Sequence, residues 1–124
     1  MELEKGLIIA YQTAFGNKLP AVYVGSVGRI GKEEHQLWTT RGRQKNASNV
    51  HPFDLASYDT KFSVTGEFQP IYNKTHPAKN LVEDEKGRYI ISGKDLLAII
   101  QQDVKNETFE FIDNPDLKVR KLSS

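Results

Sequence analysis

The chain has 124 residues, 38% of them apolar and 27% charged, with a formal net charge of +1 and no cysteine. This length suits one domain over residues 1–124, with a core that buries roughly two thirds of the unfolded surface. Lack of cysteine removes disulfides, thiolate zinc sites and cysteine nucleophiles. A charge near zero leaves no global field to draw the molecule onto nucleic acid, so any electrostatic binding must come from a local patch.

No apolar run approaches the roughly 20 residues of a membrane span. The opening Met1-Glu2-Leu3-Glu4-Lys5 is acidic, and the apolar run after it is too short for a secretory leader. The expected compartment is the cytoplasm, without membrane association, and the sequons at Asn46, Asn73 and Asn106 are read as chance.

In chain order, residues 7–11 form an unbroken β-branched and apolar run, which predicts a short buried strand. Residues 20–24 predict a second strand, with Pro20 at its start where no ladder donor is needed. Gly25, Gly28 and Gly31 then punctuate the chain and predict a bulge or sharp corner, with 27–30 still extended. Residues 35–40 predict a third strand. Residues 41–59 have a loop composition, broken by Val50, Phe53, Leu55 and Tyr58, which predicts a loop that packs down.

Residues 60–65 alternate, with Phe62 and Val64 on one face and Lys61, Ser63 and Thr65 on the other. A break at Gly66-Glu67 and a run over 68–72 predict a hairpin between the two, with Pro70 marking an edge or a bulge. Residues 73–86 read as a polar connection and 88–91 as a strand. Ser92 with Asp95 three residues later is a capping-box pattern. Leu96, Leu97, Ile100 and Val104 recur at helical spacing, so a helix is predicted over 93–105. Strands are predicted at 108–112 and, as a cationic edge, at 117–122.

The expected fold class is α+β. It is mostly antiparallel β, a small barrel or curled sheet of about seven or eight short strands with one amphipathic helix near the C-terminus.

Candidate chemistry concentrates in two stretches. Gly25-x-x-Gly28-x-x-Gly31-Lys32 departs from the Walker pattern in spacing and lacks a Ser or Thr after the lysine. It is not the dinucleotide fingerprint either, because the spacing differs and no helical pattern follows. The purely structural reading is a bulged strand pair. The run from Arg41 to Asn46 is cationic, and Trp38 precedes it with Tyr23, Phe53 and Tyr58 flanking. Guanidinium forks match phosphate oxygens, and aromatic rings beside cations are how nucleotides and single strands are held. The purely structural reading is a solvated loop with Trp38 in the core.

The candidate ligand-binding set is therefore Arg29, Lys32, Trp38, Arg41, Arg43, Lys45 and Tyr58, expected to converge on one face. The histidines His35, His51 and His76 lie on unrelated segments, so no metal site is expected, and no cofactor motif is present. His76 before Pro77 reads as exposed. His51 near Asp54 and Asp59 is a possible general base with an orienting carboxylate. No Gly-x-Ser-x-Gly elbow is present. The acidic run Glu83-Asp84-Glu85 reads as a solvated loop or a contact for a basic partner.

The leading expectation is a non-enzymatic binding protein for a phosphate-bearing ligand, nucleic acid or nucleotide. One alternative is a protein-interaction module, such as a small inhibitor or accessory protein of the phage or mobile-element type. Another is a small hydrolase using His51.

Overall fold

The computed structural model describes residues 2–27, 34–47, 50–71, 74–106 and 119–121. Five strands build the first sheet: β1 (Ile8–Gln12), β2 (Lys18–Val27), β3 (Glu34–Thr39), β4 (Gly42–Ala47) and β5 (Val50–Pro52). Their order is β4-β3-β2-β1-β5, so an antiparallel meander is completed by a last strand that returns to pair with the first. The sheets curl, and among the described residues none closes into a barrel.

Pro20 is the third residue of β2, opposite Ala10, at a point where pairing with β3 has not begun. Its missing N–H therefore costs no ladder bond. The β2–β3 register shifts between Tyr23 and Gly25, which puts a bulge where the glycines begin.

Residues 41–59 are not a loop. They contain β4, β5 and a 3-10 turn at Leu55–Ser57. The composition misleads because β4 is an edge strand, so a polar Gly-Arg-Gln-Lys-Asn-Ala segment needs no apolar alternation to pair with β3.

The second sheet is built from β6 (Lys61–Val64), β9 (Val82–Glu83), β10 (Tyr89–Ser92) and β11 (Val119–Lys121), ordered β11-β6-β10-β9. The third is a two-stranded pair of β7 (Glu67–Ile71) and β8 (Lys74–Pro77). The hairpin predicted between 60–65 and 68–72 does not form. Both edges of β6 are occupied by the distant strands β10 and β11, and β7 pairs with β8 instead. Alternation shows which face of a strand is buried but not which strand it pairs with. The β7–β8 register shifts between Phe68 and Ile71, a bulge that contains Pro70. Residues 73–86, read as a connection, hold β8, a 3-10 turn and β9. The strand predicted at 108–112 and residues 28–30 lie outside the described residues.

The helix α1 (Gly93–Asn106) starts where its cap predicts, with the Asp95 N–H donating to Ser92 Oγ at 3.1 Å. It packs against β2, β7 and β10. Leu96, Leu97, Ile100 and Val104 are all buried, in one cluster with Val22, Trp38, Phe62, Val64, Phe68, Ala78 and Ile91. The stripe thus gathers all three sheets onto one helix face. Each such side chain contributes about 1.5–3 kcal/mol. Ile9, Ala21, Tyr23, Leu37 and Ala47 form a second cluster. Because side chains alternate along β1 and β2, Ile8 and Val22 join the helix cluster, whereas their neighbours Ile9 and Ala21 join the second. Gln101 Nε2 donates to the Gly6 carbonyl at 2.7 Å and clips the N-terminal segment to α1. No helix among the described residues is long and apolar enough to cross a membrane.

Candidate functional site

A cleft of about 490 Å³ opens between the first sheet and the segment that leads from β5 into β6. One wall comes from Asn17, Lys18, Leu19 and Pro20 at the start of β2, with Thr40 and Arg41 from the β3–β4 turn. The other comes from Phe53, Ser57, Tyr58, Asp59, Thr60 and Phe62. Its size falls within the range of small-molecule sites.

The position of Arg41 follows from a tight turn. Thr39 and Gly42 are paired, leaving Thr40 and Arg41 as the two turn residues. The buried Thr39 hydroxyl donates to the Gly42 carbonyl at 2.8 Å and accepts from the Arg41 N–H at 3.0 Å. Gly42 takes φ of 122°, which a side chain would resist. The result is an exposed guanidinium on a turn braced from below. Lys18, also exposed, is the first residue of β2, opposite Gln12.

The aromatic wall is built by Asp54. Its carboxylate accepts from the Ala56 N–H at 3.1 Å, and its carbonyl accepts from the Ser57 hydroxyl at 2.9 Å. This nucleates the 3-10 turn and returns Tyr58 to Phe53, with the rings edge to face at 5.9 Å and 76°. Tyr58 also lies against Gly93, the first residue of α1. A β-carbon at Gly93 would approach two Tyr58 ring carbons to 2.8 and 2.9 Å and the Thr60 carbonyl oxygen to 3.0 Å.

The cleft therefore presents two cations, Lys18 and Arg41, one carboxylate, Asp59, the rings of Phe53 and Tyr58 with the buried Phe62 behind them in the core, and the hydroxyl residues Thr40, Ser57 and Thr60. Such a surface can hold an anion by charge-assisted hydrogen bonds and a flat ring by stacking.

Of the candidate residues, Arg41 and Tyr58 meet at this cleft. Trp38 is 1% exposed and sits in the helix cluster. Arg43 is half-buried on β4 opposite Trp38 and does not border the cleft. Arg29, Lys32 and the side chain of Lys45 lie outside the described residues. Lys18 escapes the sequence reading because it looks like one residue of a turn, and no sequence signal sets it beside Arg41. Phe53 figures there only as a flanking aromatic, although the Asp54 turn signal beside it is legible.

The histidines remain apart. The Tyr23 hydroxyl lies 3.3 Å from His35 Nδ1 with the rings edge-on. His51, on β5, has a buried Nε2 with no hydrogen-bond partner among the described residues, and the Asp54 carboxylate is turned to the Ala56 amide. His76 is not simply exposed. Its Nε2 donates to Oδ2 of the buried Asp103 at 2.9 Å, and its ring lies 5.6 Å from that of Phe68. Polar sequence around His76 conceals this, since its partner is 27 residues away. Among the described residues no group of three or more His, Asp or Glu is placed to hold a metal.

Asp84 is a turn residue rather than a free member of an acidic patch. Its Oδ1 accepts from the Lys86 and Arg88 N–H groups and its Oδ2 from Arg88 Nε, each at 2.9 Å. The Arg88 amide is the largest influence that holds this carboxyl below its ordinary value; the Arg88 side chain and the Lys86 amide add to it, and lost solvation opposes it.

No protein-family model, curated protein or solved structure matches this chain.

Proposed function

We propose that the cleft binds a phosphate-bearing ligand that carries a stackable ring, a nucleotide or a nucleic-acid strand, and that the protein acts by binding rather than by catalysis. The observation that supports this is the meeting of Arg41 and Tyr58, 17 positions apart in sequence, at one cleft that Lys18 and Phe53 also line. Single exposed cations contribute little in water. Two cations and an aromatic pair that line one cleft can act on the same ligand. Arg41 suits phosphate because its fork can pair with two oxygens at once, and the Thr39 brace fixes the backbone that carries it.

Chemical-shift mapping tests the reading. Titration with a panel of nucleoside monophosphates at low salt is expected to move the resonances of Lys18, Arg41, Tyr58 and Asp59 and to leave those of the second core cluster in place. Shifts confined to another surface, or none with any nucleotide, would reject the cleft as the site.

A further inference from the structure

Phe15 is 93% exposed, the most exposed of the large apolar side chains described. It stands at the tip of the β1–β2 turn. That turn is ordered: the Thr13 N–H donates to the Asn17 carbonyl at 2.8 Å and the Gly16 N–H to the Thr13 carbonyl at 2.9 Å. The Asn17 N–H also donates to the Thr13 hydroxyl at 3.2 Å. A phenyl ring held in water contributes nothing to the core. The same turn delivers Asn17 and Lys18 to the cleft wall. Two residues of chain reach at most about 7 Å, so the Phe15 Cα cannot lie farther than that from the Asn17 Cα.

We infer that Phe15 is an additional stacking platform at the rim of the cleft, and that the ligand is a single-stranded nucleic acid running from the cleft across the hairpin tip. The inference rests on the cleft reading above and narrows it. A free nucleotide has one base, and Tyr58 with Phe53 suffices for it. A further ring outside the cleft, on the turn that carries Asn17 and Lys18 into its wall, serves a ligand with another base to place. Unpaired bases offer their faces to such rings, whereas a duplex keeps them stacked inside. A protein partner would call for a contiguous apolar patch. The neighbours of Phe15 in its turn are Thr13, Ala14, Gly16 and Asn17, and the other large apolar side chain exposed among the described residues, Val82, belongs to β9 of a different sheet.

Fluorescence anisotropy decides the matter. The probes are a labelled homopyrimidine strand of about a dozen nucleotides, enough to cross a site of this kind, the same strand in duplex form, and a nucleoside monophosphate as competitor. The proteins are wild type, Phe15→Ala and Arg41→Ala, with thermal melting as the fold control. In wild type the single strand binds more tightly than the duplex and the nucleotide. Phe15→Ala melts as wild type does, and its affinity for the strand falls about 5- to 150-fold, the loss of one stacked base. Equal strand binding by Phe15→Ala and wild type, with Arg41→Ala weakened, would overturn the role of Phe15 and leave the cleft reading standing. Equal binding by Arg41→Ala and wild type would overturn the cleft reading itself. Duplex binding as tight as single-strand binding would overturn the stacking mode.

Discussion

Gly93 and Tyr58 are fitted to one another: a β-carbon on Gly93 would stand 2.8 Å from Tyr58 Cε2, closer than carbon atoms pack. The helix start and the cleft wall are thereby coupled. The Gly93 N–H donates to the Thr60 carbonyl at 2.7 Å, which pins the helix start to the segment after Tyr58, and the added carbon would also stand 3.0 Å from that carbonyl oxygen, so the ring and this backbone must both give. Gly93→Ala is expected to destabilise the fold by about 1–3 kcal/mol through overpacking. That outweighs the roughly 1 kcal/mol by which alanine is the better helix former. Denaturant unfolding reads the stability, and the Tyr58 ring resonances read the displacement. A variant at least as stable as wild type, with those resonances unmoved, would contradict the contact.

His76 and Asp103 join the β7–β8 pair to α1 through a carboxylate that is 5% exposed. His76→Ala leaves that carboxylate buried without its partner and is expected to cost about 1.5–3 kcal/mol, the range for hydrogen bonds to charged groups. Replacing both residues by leucine removes the stranded charge and is expected to cost less than the single change. Denaturation midpoints of the three proteins check this. A double variant less stable than His76→Ala would contradict it.

The turn closed by Asp84 gives a pH dependence of known sign. The Arg88 amide hydrogen bond, with the Arg88 side chain and the Lys86 amide, holds the Asp84 carboxyl below the ordinary aspartate value in the folded chain. A group with a lowered folded value stabilises the fold above its unfolded value, and that contribution is lost as pH falls through the folded one. The Lys86 and Arg88 amide resonances are therefore expected to titrate together on acidification, and Asp84→Asn is expected to abolish that step. Titration of these amides at or above the ordinary aspartate value in wild type would show that the bonds to Asp84 do not hold its proton off.

The α1 stripe and its cap set the stability of the helix. Leu97→Ala is expected to cost about 2–5 kcal/mol, since the site is fully buried. Ser92→Ala is expected to cost about 1 kcal/mol through removal of the bond to the Asp95 amide. Equal losses in the two variants, read by chemical denaturation, would contradict this division.

What is readable from sequence follows from the range over which each signal acts. The helix is legible because its cap and its 3.6-residue period are local, and the prediction misses only Asn106 at its end. The faces of β6 are legible for the same reason, with Phe62 and Val64 buried and Lys61 exposed. Its partners are not, because β10 and β11 approach from about 25 to 60 residues away and nothing in a period of two encodes that choice. β4 escapes because an edge strand can be polar throughout. At the candidate site, Arg41 and Tyr58 are legible as residue types. Their convergence with Lys18 depends on how the β3–β4 turn, the start of β2 and the Asp54 turn are stacked, and that is a property of the sheet order.

The most direct measurement of the central claim is the salt dependence of oligonucleotide binding by wild type and Arg41→Ala. If Arg41 meets a phosphate at the cleft, the logarithm of the wild-type affinity falls linearly with the logarithm of salt concentration. The variant then binds more weakly, with a slope shallower by about 0.7 for the one phosphate it no longer neutralises. The fold is expected to survive, because the side chain is exposed and such substitutions usually change stability by under about 0.5 kcal/mol. Absence of binding at low salt, or superimposable curves for the two proteins, would contradict the account.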